Sequence, residues 1–306
     1  MEPLLSVVTI TYNHGPYIAQ CIESVLAQRT DFPIEFIIAD DCSTDRTKDI
    51  CIEYARKYPE IIRMISSPTN AGAVMNEQRA FIAAKGKYIA TCEGDDYWIR
   101  PDKLRKQIDF MDKNMDYSLC GTNGLILYDN GAGCPIYFNR IFESRDLLPN
   151  DIIGKWPFPT ASIVIRANVR DNWPEWTSKI YSGDQTLILI ALSKGRVYGL
   201  GELCVVYRKN ENPYSASVMA SKESKAYVPE NHKILYTYFN EHTNGRFATE
   251  IKPVINSLEH IIKFYRLQEK SLLMSWIRYP KTSFILFLKS KKAPLLQKLN
   301  SGKSIL

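Results

Sequence analysis

The sequence has no Cys-x-x-Cys pair. Its seven cysteines, Cys21, Cys42, Cys51, Cys92, Cys120, Cys134 and Cys204, are scattered and odd in number. This pattern argues against a disulfide framework and a zinc site, and for a reducing, cytoplasmic setting. No apolar run reaches the roughly 18 residues of a membrane-spanning helix. The opening stretch, MEPLLSVVTITYNH, lacks a basic lead and a long apolar stretch, so no signal peptide is expected. The histidines, His14, His232, His242 and His260, have no metal-ligand spacing, and His14 reads as a loop residue. Internal repeats and low-complexity tracts are missing. No helix-turn-helix or base-stacking pattern is found, which argues against a nucleic-acid partner.

What is present is an ordinary globular composition: 306 residues, 45% hydrophobic and 24% charged, enough for one large domain or two modest ones. The net charge of +6 is unevenly placed. Residues 262–306 hold ten Lys/Arg against one acid, Glu269, which leaves the rest of the chain net negative. That tail mixes Trp276, Tyr279, Phe284 and Phe287 with lysines. It suits either an anionic membrane surface, aromatic side down, or a helix packed on the body with a basic outer face.

Along the first 115 residues, apolar strand-like runs alternate with helical periodicity. LLSVVTIT, IEFIIAD, IIRMIS and KYIATC read as strands. YIAQCIESVLAQ, TDRTKDICIEYARKY, AVMNEQRAFIAAKG and PDKLRKQIDFMDKN read as helices, with Gly86 as a C-cap and Pro101 at a first helical position. The rhythm implies right-handed βαβ units, hence an α/β fold with a mostly parallel sheet flanked by helices. Ligands of such sheets bind at the carboxyl ends of the strands. After residue 116 the rhythm breaks. YSLCGTNGLILYDN and TASIVIRANV look like strands, DQTLILIALSKG is a helix ended by Gly195, and RVYGLGELCVVYRKN looks like a closing pair of strands. PFPTAS and NENPYSAS read as mobile loops. From about Ser221 the pattern is mostly helical.

Two acid clusters and a lone aspartate fall where a ligand would sit. Asp40 and Asp41 close the second strand. Capping of the next helix accounts for Asp45, with Ser43 and Thr44 as other candidates, but only one of the adjacent acids could cap. Glu93, Asp95 and Asp96 follow the very apolar fourth strand. They form either a solvated turn or the mouth of a site in which Mn²⁺ or Mg²⁺ relieves their repulsion and carries a diphosphate. Asp184, at the head of the DQTLILIALSKG helix, is either an N-cap or a general base.

With these residues in view, the chain resembles the family 2 glycosyltransferases of the GT-A fold. The resemblance rests on VVTITYNHGPYIAQCIESVLAQ, IIADDCSTDRT, NAG, AAKGKYIATCEGDDYWIRPDKL and GDQTLILIALSKG, and covers residues 4 to 210. It implies a nucleotide-sugar donor, UDP favoured, contacted by Thr11, Tyr12, Asn13, Asp40, Asp41, Asn70 and Asp95. It also implies a cation on Asp96, Asp184 as the base of an inverting transfer, and an anion contact from Arg208 or Lys209. A glycan or lipid-linked acceptor follows, in cell-surface polysaccharide or glycolipid synthesis, with the enzyme cytoplasmic or peripheral on the inner membrane face. Residues 1–115 would form the nucleotide-sugar-binding half, 116–215 the acceptor half, and 216–306 a helical basic extension. Three departures stand out: Cys42 replaces a usual glycine, Glu93 a frequent aspartate, and Gly183 a glutamate that many members carry before the base. There is no Gln-x-x-Arg-Trp motif, which points to transfer of a single sugar. The alternatives are a nucleotidyltransferase, which would want a Gly-rich, basic phosphate loop where TYNHGPY stands, and a non-catalytic nucleotide-sugar-binding protein.

Overall fold

The computed structural model describes residues 2–129, 134–171, 173–209, 224–270 and 278. The expected NENPYSAS loop and the aromatic-basic tail, with its membrane contact, lie outside these residues. The chain divides into two compact units, residues 1–126 with 136–208, and residues 127–135 with 209–306.

The first unit opens with the expected alternation: β1 (Leu5–Thr11), α1 (Ile18–Leu26), β2 (Ile34–Asp40), α2 (Thr47–Lys57), β3 (Ile62–Ser66), α3 (Ala73–Ala83) and β4 (Tyr88–Thr91). β1 pairs parallel with β2 and with β4, and β2 with β3. Their continuous apolar runs have a physical reason, because helices cover both faces of the sheet. Leu5, Val7, Phe36, Ile38, Tyr88 and Ala90 join Ile18, Ile22 and Val25 of α1 in one core.

The second half adds β5 (Tyr97–Trp98), α4 (Lys103–Lys113), β6 (Tyr117–Tyr128), β7 (Ile136–Tyr137), β8 (Arg145–Leu147), α5 (Pro149–Ile152), β9 (Val164–Arg166), α6 (Ala167–Arg170), α7 (Gly183–Lys194) and β10 (Arg196–Lys209). The sheet order is β3-β2-β1-β4-β9-β6-β10-β5. The sheet is mixed rather than mostly parallel: β9 enters between β4 and β6 and runs against both. A parallel return usually runs through a crossover helix, and between β6 and β9 the described residues hold only short elements: β7, β8, the single turn α5 and the 3₁₀ turn Thr160–Ser162.

Several local expectations change. Gly86 is not a cap, since α3 ends at Ala83. A Cβ on Gly86 would fall 2.5 Å from the Ser6 nitrogen, so this glycine permits a close backbone crossing. Pro101 precedes α4, whose cap residue is Asp102. PFPTAS is packed in the core: Phe158, Ala161 and Ser162 have no exposed surface. Side chains hold its carbonyls, with Trp98 Nε1 donating to Ala161 O at 2.7 Å and Thr91 Oγ1 to Thr160 O at 2.6 Å. Of TASIVIRANV only Val164–Arg166 is strand, and RVYGLGELCVVYRK is one long strand instead of two.

Lys103 is fully buried in this core, with Nζ 4.2 Å from the centre of the Trp98 ring and without a hydrogen-bond partner among the described residues. Burial pushes its ammonium down to about 8. The folded state therefore binds the proton less readily than the unfolded chain, and stability rises as pH climbs from about 8 through the unfolded lysine value. Lys103→Met should raise the unfolding free energy at pH 7 by about 1–3 kcal/mol, the desolvation cost less the cation–π attraction. The gain should shrink as pH rises from about 8 to ~10. Urea titrations at pH 7 and pH 10 measure both.

In the second unit, helices Tyr227–His242 and Ala248–Lys270 pack on one another. Phe239 stacks on Phe247 at 5.4 Å, and Lys233 pairs with Glu259 at 2.7 Å. Asn244 and Gly245 turn the chain between them with φ of 49° and 76°. Among the described residues no helix is long and apolar enough to cross a membrane.

Candidate active site

The site grows from three strand ends. Thr11, the last residue of β1, lies in register with Asp40 of β2. The Asp41 N–H donates to Thr11 O at 3.0 Å, and the Gly94 N–H to Ile10 O at 3.0 Å. The loops after β1, β2 and β4 are thus tied into one rim, as the parallel topology requires.

Much of the polar set expected from the sequence to contact a donor builds that rim. Asn13 sits at φ 55° and accepts from the Thr44 N–H at 2.8 Å, while its own N–H donates to Ser43 Oγ. The Asp40 carboxylate accepts from the Ser43 N–H at 3.2 Å. Cys42 adopts φ 62°, the left-handed conformation a glycine would take, so the departure at this position keeps the turn at a steric cost of about 1–2 kcal/mol. Asp41 reaches across to the segment before α3, accepting from Ala71 N–H at 2.9 Å and Gly72 N–H at 2.8 Å. Asn70 turns the same segment, its Oδ1 accepting from Gly72 N–H at 3.1 Å. Each Asp41 oxygen keeps a further lone pair. Tyr12 is half-buried beside them.

Gly94 lies against Thr11. A Cβ there would stand 2.7 Å from Thr11 Oγ1 and 2.9 Å from His14 Nδ1. Gly94→Ala should therefore push the 93–96 loop off the end of β1. It should cost about 1–3 kcal/mol of stability by overpacking, read as a lowered urea midpoint.

Asp95 and Asp96 are held from the last strand of the unit. The Arg208 N–H donates to Asp96 Oδ1 at 2.7 Å. The Arg208 guanidinium donates to Asp95 O and Gln20 Oε1, each at 2.6 Å, between the rings of Tyr17 and Tyr97. Arg208 is 7% exposed and clamps the acidic loop. The Asp95 carboxylate lies 3.7 Å from His14 Nε2, a neighbour that the sequence reading left as an unassigned loop residue. Burial, then the charges of Asp95 and Glu93, push Asp96 well above the usual carboxylate range. Burial and Asp95 push Glu93 up to about 8.

Asp184 is the second residue of α7, with Ser182 at the cap position. Its Oδ1 accepts from Ser182 Oγ and Gln185 N–H, both at 2.7 Å. Burial raises its pKa against the opposing effect of these bonds and of one from the Trp156 side chain. α7 is buried along Gln185–Leu192, which fixes its first turn in the unit. The charge of Asp184 adds to the raised proton affinity of Glu93, so the two carboxyls lie within electrostatic reach of each other. Tyr207 lies among them: burial and the charges of Asp96, Asp95, Asp184 and Glu93 all raise its phenol.

Sequence reasoning missed Glu77. It stands on α3, is 8% exposed, and burial with the charge of Asp184 pushes it up to about 8. One signal was available: Ala73, Val74, Ala80 and Phe81, its helix-face neighbours, include no cation.

The acidic loop can accept a cation in one way. Asp96 Oδ2 and Glu93 Oε2 are buried and accept no hydrogen bond among the described residues. Yet among the described residues no three His, Cys, Asp or Glu are placed to cage a metal. That donor set fits an ion held by a carboxylate and completed by ligand oxygens, the habit of Mg²⁺ and Mn²⁺.

Residues 6–168 match the family described as glycosyl transferase family 2, and the chain belongs to that family. An uncharacterized Mycobacterium bovis protein, Mb1547, is 35% identical over 206 residues, 67% of this chain and 59% of that protein. This chain thus spans under two thirds of the length of that relative. The putative teichuronic acid biosynthesis glycosyltransferase TuaG of Bacillus subtilis is 34% identical over 218 residues, 71% of this chain and 83% of TuaG. Residues 1–349 of S. aureus TarS, solved with UDP-GlcNAc, share the fold with a TM-score of 0.64 at 22% identity, covering 85% of this chain and 72% of that one. The fold is accordingly GT-A.

Proposed function

We propose that this chain moves one sugar from a UDP-sugar to an acceptor hydroxyl with inversion, in the synthesis of a cell-surface polysaccharide or glycolipid. The carrying observation is the placing of Asp184, from 88 residues further on, within electrostatic reach of the 93–96 loop, where its charge raises the proton affinity of Glu93. Membership of family 2 and the kinship with TuaG support the activity and the pathway class. The UDP-GlcNAc held by the structurally similar TarS supports the donor.

In this reading, Asp41 offers its spare lone pairs to the imide N–H of uracil while Ala71 and Gly72 hold it in place. Thr11 lines the base, and Asp95 faces the ribose. Asp96 would hold a Mg²⁺ or Mn²⁺ ion, which would supply charge stabilisation to the departing UDP. Asp184 takes the proton of the acceptor hydroxyl, whose oxygen attacks the anomeric carbon opposite UDP. The raised proton affinity of Asp184 makes it a stronger base than a solvent-exposed aspartate. The acceptor is a glycan or a lipid-linked glycan.

A thermal-shift panel of nucleotide sugars with Mn²⁺ tests the donor, because a ligand bound only by the native state raises the melting point. UDP release from the ligand that shifts it most tests the transfer chemistry. A panel in which no UDP-sugar raises the melting point rejects the reading.

A further inference from the structure

Asp184 has a large neighbour that the chemistry above leaves unused. Gln185, the next residue on α7, donates from Nε2 to Lys155 O at 2.9 Å, which sets the segment around Trp156 against the first turn of that helix. The Trp156 side chain, whose indole N–H is its one donor, bonds the Asp184 carboxylate. The local sequence stiffens this segment. α5 ends at Ile152, Gly154 turns the chain at φ 76°, and Pro157 disfavours helical backbone at Trp156. Beyond it, Asn139 Nδ2 donates to Pro157 O, and Phe158 is fully buried. Trp156 is nevertheless 44% exposed, the one exposed tryptophan among the described residues. A single exposed apolar side chain is ordinary. An exposed indole whose polar edge is tied to a buried carboxylate is different, because the ring is held in place while much of its surface stays wet.

We propose that Trp156 is the platform on which the acceptor lies, and that the acceptor unit is a pyranose ring: its C–H face stacks on the indole while its attacking hydroxyl reaches Asp184. This rests on the reading of Asp184 as base. An aromatic surface beside a hydrogen-bond acceptor matches the two characters of a sugar, apolar C–H groups on one face and hydroxyls around the edge. A lipid chain would use the indole and leave the carboxylate without a partner. An open-chain polyol would use the carboxylate and offer no flat face to the ring. Aromatic side chains with a few placed polar groups are the common lining of small-molecule sites. Gly154, Pro157 and the bond to Asp184 fix the platform in advance, so little ordering of the protein is needed when the sugar arrives.

The test uses the full chain and four probes: the methyl pyranosides of glucose, galactose and N-acetylglucosamine, and ribitol 5-phosphate as a polyol without a ring. Saturation-transfer NMR reads their binding to wild type, Trp156→Phe and Trp156→Ala, with and without UDP and Mn²⁺. At least one pyranoside should bind the wild type, with the strongest transfer to its ring C–H protons. Its affinity should fall about tenfold in Trp156→Ala, the scale of one lost stacking contact. Trp156→Phe keeps a flat ring and should stay within about threefold of wild type, a rescue that a merely structural indole would not show.

Equal affinity in wild type and Trp156→Ala would overturn the proposal. Equal losses in the Phe and Ala variants would do the same, because the bond to Asp184 and not the ring would then matter. So would a wild type that binds no pyranoside, or ribitol 5-phosphate alone. The probes are read without a donor as well as with one. If the wild type cleaves no UDP-sugar, the transfer reading falls by itself, and the binding series still decides whether Trp156 seats a sugar.

Discussion

Asp184→Asn should lower UDP release by about 10²–10⁴-fold, the range for loss of a general base, while UDP binds with Mn²⁺ as before. The amide is close in size to the carboxylate. Its Oδ1 can still accept from Gln185 N–H and Ser182 Oγ, so the first turn of α7 should keep its shape. Only the capacity to take a proton is removed. Turnover and isothermal titration with UDP and Mn²⁺ separate the two effects. Turnover within twofold of wild type would remove Asp184 from the chemistry.

Asp96→Asn should trade function for stability. Asn Oδ1 can keep the bond from Arg208 N–H, so the clamp on the loop survives. The atom replaced by an amide nitrogen is Oδ2, the orphaned oxygen assigned to the cation. In the wild type, Mn²⁺ should tighten UDP binding by tenfold or more, about 1.4 kcal/mol; in the variant the two affinities should coincide. Without metal, the variant should unfold at a higher urea concentration than wild type. The folded-state proton affinity of Asp96 is raised, so the wild type loses stability as pH climbs above the normal carboxylate range, and the gap should widen from pH 5 to pH 8. A variant that still binds UDP more tightly with Mn²⁺ would remove Asp96 as the metal ligand.

The parallel half of the fold was legible because its signals are local and redundant. IEFIIAD is β2 to the residue, and of the four side chains that helical spacing marks on α1, Ile18, Ile22 and Val25 are buried while Leu26 is partly exposed. The second half was less legible because its elements are short and take their definition from partners far away. β9 is three residues long and is set by β4 and β6 on either side. PFPTAS has the composition of an exposed loop, and only distant donors such as Trp98 allow its backbone to be buried. Strand-end acids could be found because an apolar run followed by carboxylates is conspicuous. Arg208 was noticed for its charge, but its contacts with Asp95 and Asp96 depend on β5 pairing with β10, which no local pattern announces. Glu77 escaped because a glutamate on a surface-like helix reads as solvated unless its neighbours along the helix are weighed.

The bond from Arg208 to Asp96 joins residues separated by 112 positions. During synthesis, the acidic loop leaves the ribosome long before the residue that fastens it. A nascent chain halted at Tyr207 would have formed β1 to β4 without either Arg208 contact on the loop. UDP and Mn²⁺ should therefore not protect such a fragment from protease, while one ending past Lys209 should gain that protection. The acidic rim is among the last parts of the first unit to mature, although most of its side chains are among the first to be made.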